Sequence, residues 1–225
     1  MEEDQQILIG FDYALASPEV LEILLDDIED PATVDEIARA NTGRPEVLLM
    51  VLHHPDTPEE VRAFITGILQ VPVPVVSREK SEVPQEMRRE SLTTKIQRLT
   101  VSARVQLALK GGREIRGILA RDSNKEVMFS VLDNAKITNP EIELIVKSRS
   151  ALEEALRRIS RNREWMRSYA IVQGLVTNPK TPPGIAVTHV SDLKTKDLFI
   201  LEKNKNVSEA VRLAAKKLLH ARKPR

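Results

Sequence analysis

The 225-residue sequence predicts an all-α protein, an α-solenoid of stacked helical hairpins in two lobes joined by a proline-containing linker. Three observations predict it. Helix-start signals recur along nearly the whole chain, each followed by apolar residues at three-and-four spacing. One stretch aligns with another without gaps, as in an internal repeat. Charge divides sharply: residues 1–75 hold 16 acidic and 3 basic residues, 76–91 hold four of each, and 92–225 hold 13 acidic and 27 basic. The net charges are therefore −13, zero and +14, a division that bears on association and partner charge rather than on fold.

The first helix opens at Ser17-Pro18. A Ser hydroxyl takes an orphan backbone N–H, Pro fits the first helical position, and Val20, Leu21, Leu24, Leu25 and Ile28 supply the apolar face. Thr33-Val34-Asp35-Glu36 reads as a capping box for a helix with Val34, Ile37 and Ala38, ending at Asn41-Thr42-Gly43. Pro45 starts a third helix through Val47, Leu48, Val51 and Leu52. Thr57-Pro58-Glu59-Glu60 starts a fourth, with Val61, Phe64, Ile65 and Ile68. From Val71 the pattern fails, because Pro72 and Pro74 hold their predecessors extended, and 77–90 is polar and charged. Residues 71–91 are expected to be a linker between an acidic lobe, 1–70, and a basic lobe, 92–225. A short edge strand at 71–76 is the competing reading.

In the second lobe, Ile96 to Leu109 precede a stop at Gly111-Gly112, read as a helix C-cap. Helices are expected near Ile115–Leu119, Glu126–Leu132 and Pro140–Val146. Ser150-Ala151-Leu152-Glu153 reads as a capping box before Leu156 and Ile159. Trp165–Val176, Pro182–Val190 and Lys196–Leu201 follow, and Asn206-Val207-Ser208-Glu209 opens a last helix through Val211, Ala214, Ala215 and Leu218.

The repeat lies in Glu46–His54 against Glu126–Asn134, where four of nine positions are identical. His54-Pro55-Asp56-Thr57-Pro58 parallels Asn178-Pro179-Lys180-Thr181-Pro182, and Asn134-Ala135-Lys136-Ile137-Thr138 is a looser copy. The period is near 40–47 residues with two helices per unit, the range of HEAT and armadillo repeats. A single hairpin exposes too much apolar surface to stand alone, and stacking buries it. On Asn162-Arg163-Glu164-Trp165, Asn178-Pro179-Lys180-Thr181-Pro182 and Val207-Ser208-Glu209-Ala210-Val211, the chain from about Lys95 to Leu219 resembles a group of uncharacterised bacterial proteins with HEAT-like or leucine-rich-variant helical repeats. The resemblance implies an architecture and carries no chemistry. Some leucine-rich-variant proteins hold a cysteine-ligated iron–sulfur segment, which a chain without cysteine cannot share.

Functional classes narrow accordingly. Without cysteine there is no disulfide framework, thiol nucleophile or thiolate metal site. No apolar run approaches the ~20 residues of a membrane helix, the N-terminus reads as no secretory signal, and a cytoplasmic protein is expected. His53, His54, His189 and His220 show no metal-ligand spacing. Ser17, Thr57, Ser150 and Thr181 each have a cap position to occupy. No catalytic residue, cofactor, metal or small-molecule substrate is expected, and the protein is read as no enzyme. Trp165 shares a stripe with Tyr169, Val172 and Val176 and is expected to face the core. With 3% aromatic residues the chain departs from the alkylpurine DNA glycosylases that HEAT-like repeats also build, because base chemistry needs stacking surfaces.

What remains is a basic cluster. Arg157 and Arg161 lie near the end of one helix, Arg163 and Arg167 at the start of the next, and Arg158 beside them. These five are the candidate partner-binding residues. Weighed against them is a solvated face in which the arginines complement a helix C-terminus and pair with Glu153 or Glu154. The expected function is a non-catalytic scaffold that binds another macromolecule, an acidic protein, through the basic lobe. The alternative is electrostatic binding of nucleic acid, with the acidic lobe as an intramolecular mask.

Overall fold

The computed structural model describes residues 12–28, 30–72, 74 and 85–222, the side chains of 85–90 excepted. The described residues form fourteen α-helices and two 3-10 turns and contain no strand. None of these helices is long and apolar enough to cross a membrane. The chain divides into two compact units, Met1–Ile118 and Leu119–Arg225.

The first unit begins with α1 (Pro18–Asp26), where the Ser17 hydroxyl accepts the Val20 N–H at 3.4 Å. Glu19 sits in that first turn, and hydrogen bonds from its backbone N–H and the Ser17 hydroxyl hold its carboxyl below the ordinary range. α2 (Pro31–Ala40) starts earlier than the expected capping box. Asp30, not Thr33, is the cap, accepting the Ala32 N–H at 3.0 Å, and Pro31 takes the first helical position. α3 (Pro45–His53) and α4 (Glu59–Leu69) follow. α4 ends on Gln70, which adopts the left-handed conformation at φ 57° that glycine usually supplies.

Helices α5 (Gln85–Arg98) and α6 (Val101–Lys110) belong to this unit, and α7 (Arg113–Leu119) reaches its boundary. α6 packs on α1, and Ile96, Leu107 and Ile115 are buried in the same unit as Leu21, Leu25, Leu48 and Leu52. Lys95 Nζ reaches Glu22 at 3.1 Å, and the Gly112 N–H donates to Asp27 Oδ2 at 2.7 Å. The division expected at 71–91 is thus not where the compact units part. The basic helices after it close on acidic α1. Part of the expected linker, 85–91, is the first half of α5, while 73 and 75–84 lie outside the described residues. Gly111 is the C-cap of α6, its N–H donating to Leu107 O at 2.7 Å, but neither glycine has the positive φ of a left-handed cap, and Gly112 serves close approach. A Cβ on Gly112 would stand 2.6 Å from Asp27 Oδ2.

The second unit contains α8 (Lys125–Leu132), α9 (Asn139–Lys147), α10 (Glu153–Arg161), α11 (Tyr169–Thr177), α12 (Pro183–His189), α13 (Thr195–Lys203) and α14 (Glu209–Arg222). One turn recurs in it. At Asp122, Asn134, Asn162, Asn178 and Asn204 the side-chain oxygen accepts the N–H two residues on, at 2.8–3.0 Å. The same residues close the last helical turn through their own N–H, onto the carbonyl three back. Asn178 does more, because its Nδ2 donates to Val146 O at 2.6 Å and Ser148 O at 2.9 Å, the orphan end of α9.

Three expected caps are placed otherwise. Thr57 is buried and donates back to Val51 O at 2.6 Å. Ser150 pairs with the Ser148 hydroxyl at 2.8 Å, before a helix that starts at Glu153. Thr181 is buried with no partner for its hydroxyl among the described residues. An unforeseen cap appears at Thr138, whose N–H and hydroxyl both donate to Glu141 Oε2, at 2.9 and 2.6 Å.

Two packed clusters run through this unit. One gathers Met128, Leu132, Ile142, Val146, Leu156, Ile159, Ile171 and Leu175; the other gathers Val172, Val176, Val190, Leu198, Leu201, Val211, Ala215 and Leu219. α11 contributes to both and lies close on α9, where Gly174 leaves room that a Cβ would take, 2.5 Å from Val146 Cγ2. The Tyr169 hydroxyl donates to buried Asp197 in the first turn of α13, and accepts the Lys194 N–H at 3.1 Å. At the far end of α14, Arg222 donates to Leu193 O and Ser191 O, each at 2.8 Å.

Candidate partner-binding surface

α10 sorts its residues by side. Ala155, Leu156 and Ile159 are buried, so the helical period turns Arg157 and Arg161 outward. The helix stops at Asn162, whose Oδ1 accepts the N–H of Glu164 at 3.0 Å and of Trp165 at 3.2 Å. That turn puts Arg161 and Arg163 on either side of the capping residue, both exposed.

The five arginines are not equivalent. Arg157 donates twice to Glu153, one turn back. Arg158 binds both carboxylate oxygens of Asp133, beyond the end of α8, and stacks over the Phe129 ring at 5.4 Å. Arg167 reaches Glu164 at 2.9 Å. Arg161 and Arg163 have no hydrogen-bond or ion-pair partner among the described residues. Exposed pairs of this kind contribute about 0–1 kcal/mol each. They leave the charge of Arg157, Arg158 and Arg167 locally balanced. The uncompensated charge of the ridge therefore sits at the Arg161–Arg163 turn.

No protein-family model, curated protein or solved structure matches this chain.

Trp165 is placed differently from the expected stripe. The segment Trp165–Arg167 is a 3-10 turn, and α11 begins only at Tyr169. Trp165 is half-buried against the cluster of Leu156 and Ile159, whereas Tyr169, Val172 and Val176 belong to the other. The stripe fails because Ser168 is extended and resets the helical phase. Burial pushes the Tyr169 hydroxyl above its ordinary value, and its hydrogen bond to Asp197 adds to the rise.

His53, His54 and His189 each have a polar neighbour. His53 Nδ1 lies 2.7 Å from Leu49 O, His54 Nε2 lies 3.7 Å from Asp26, and His189 Nδ1 lies 3.0 Å from Asp192. Among the described residues no three His, Asp or Glu side chains gather as metal ligands would.

Sequence reasoning missed a second surface feature. Phe199 and Ile200 of α13 and Leu213 of α14 are exposed. In sequence an apolar residue beside core leucines looks like core, and only the phase of α13 against its buried neighbours separates them.

Proposed function

We propose that the chain is a cytoplasmic, non-catalytic scaffold of HEAT-like helical-hairpin repeats, and that its basic second unit binds an acidic protein. The single observation that carries the binding reading is the pair Arg161 and Arg163, exposed and without partners among the described residues, at the turn after α10. The unit around them, 119–225, holds 21 basic and 12 acidic residues, a net of +9. The repeat reading is supported by the Asn turns, which place the same side-chain-to-backbone bond at Asn134 and Asn178, two positions that the repeat aligns. The absence of cysteine suits a reducing compartment.

The test is affinity capture from cells with the full chain, set against R161E/R163E and R157E/R167E. An acidic partner that is captured by the native chain and by R157E/R167E, and lost on R161E/R163E, is the expected result. Equal capture by all three chains would sink the assignment of that turn. Binding of an arbitrary duplex DNA by the native chain, lost on R161E/R163E and falling steeply with salt, would turn the reading to nucleic acid.

A further inference from the structure

α13 carries apolar residues on two sides. Leu198 and Leu201 are buried with Val211, Ala215 and Leu219 of α14. Phe199 and Ile200 lie outside that core, 47% and 67% exposed. One turn before and one turn after them stand Lys196 and Lys203. Both are exposed, and neither has a hydrogen-bond or ion-pair partner among the described residues. On α14, Leu213 is 50% exposed, and Lys216 and Lys217 stand a turn further on, exposed and likewise unpartnered.

Single exposed apolar residues are ordinary. An adjacent Phe and Ile framed by free lysines is a different surface, apolar at the centre and cationic at the rim, the anatomy of a protein interface. The charge around it is one-sided. Residues 194–222 hold eight basic and three acidic residues, and one of those acids, Asp197, is buried against the Tyr169 hydroxyl.

We propose that the outer face of α13, Phe199 and Ile200 between Lys196 and Lys203, docks an acidic amphipathic helix of a partner protein. Lys196 and Lys203 are seven residues apart, two helical turns or about 10.5 Å along the axis. Carboxylates two turns apart on a docked helix match that separation, and apolar residues between them meet Phe199 and Ile200. A nucleic-acid backbone would use the lysines and leave the apolar pair unsatisfied. A membrane surface would gain little, because the remaining apolar residues of both helices are already in the core and stable attachment takes a larger inserted area. The proposal rests on reading the second unit as protein-binding, but on different residues from the arginine turn.

The experiment selects a phage-displayed random-peptide library against the full chain. The enriched peptides are expected to carry apolar residues at helical spacing with Asp or Glu between them. Their affinity is expected to fall by at least about tenfold on I200D and on K196E/K203E, since loss of one interface anchor is commonly of that size. R161E/R163E should bind them as the native chain does. The substituted side chains are exposed, and circular dichroism with Trp165 fluorescence checks that the fold is kept. No enrichment of acidic apolar peptides, or unchanged affinity of I200D, overturns the proposal. So does an Ile200-dependent attachment to phosphatidylserine vesicles or duplex DNA in place of the peptides. Peptides lost on R161E/R163E but kept on I200D would overturn it while leaving the arginine turn as the binding site.

Discussion

Arginine has different tasks at the inner turns of the first unit and at the α10 turn of the second. In the first, Arg44, Arg62, Arg104 and Arg116 serve backbone carbonyls, whereas Arg39 pairs with Asp35 on the surface. Arg62 is buried and donates to the carbonyls of Leu52, His54 and Thr57 at the α3–α4 turn. Arg44 donates to Ala14 O and Ala16 O, Arg104 to Leu99 O, and Arg116 to Gly111 O. In the second unit the carbonyls of the α9 end are served by the amide of Asn178, and Arg157 and Arg161 of α10 face water. Aligned turns make the contrast concrete: His54 stands where the second unit has Asn134 and Asn178, and Arg62 supplies donors that no asparagine there provides. A count of basic residues therefore says little about how much positive charge a surface offers. What matters is which donors the backbone has already taken.

The largest effect that would break this contrast is expected from Arg62→Leu. It leaves buried carbonyls without a donor and should cost the first unit about 3 kcal/mol. Trp165, the only tryptophan, lies in the second unit, so its fluorescence transition in denaturant should stay in place while circular dichroism shows earlier loss of helix. Asn178→Asp is the counterpart, setting a carboxylate against the carbonyls of Val146 and Ser148. About 2–3 kcal/mol should be lost, now in the Trp165 transition, with recovery as pH falls and the new carboxyl protonates. Gly112→Ala pushes a methyl into Asp27 and should cost the first unit about 1–2 kcal/mol. Arg161→Ala and Arg163→Ala should stay within about 0.5 kcal/mol of the native chain in the same denaturation assay, because their side chains hold nothing in place.

Alkaline titration sharpens the contrast from another side. The chain has one tyrosine in each unit, Tyr13 and Tyr169, and burial raises both hydroxyls above the ordinary value of 10.0. Nearby Glu36 adds to the rise at Tyr13, and the bond to Asp197 at Tyr169. A raised folded-state value means that the stability each contributes is complete below the unfolded-state value and is lost as pH rises through the folded one. Phenolate absorbance should therefore appear late in both units, and Tyr169→Phe should reduce the alkaline sensitivity of the Trp165 transition alone.

Much of the helical content was legible, because capping residues, prolines and three-and-four spacing are local signals. Ser17-Pro18, Pro45 and the apolar face of α10 fall where those signals put them. Long-range closure was not legible. Nothing in the stretch after Ser91 announces that Lys95 meets Glu22 or that Gly112 meets Asp27, contacts spanning 73 and 85 residues. Trp165 packs on the core as expected, but its stripe was misjudged because a single extended residue, Ser168, changes the helical phase without a proline or glycine to mark it. Within the basic cluster, the Arg157–Glu153 pairing follows from four-residue spacing, whereas Arg158–Asp133 needs the packing of α10 beside α8.

The contact between Asp27 and Gly112 has a consequence for covalent continuity. α1 and α6 are partners in one unit although the stretch 75–84 lies between them in the chain. A single cut placed in that stretch should leave two fragments that stay together, held by the α1–α6 packing and by Lys95 on Glu22. Expressed as separate polypeptides, 1–74 and 85–225 should find each other and co-elute. Gly112→Ala should weaken their association by about tenfold.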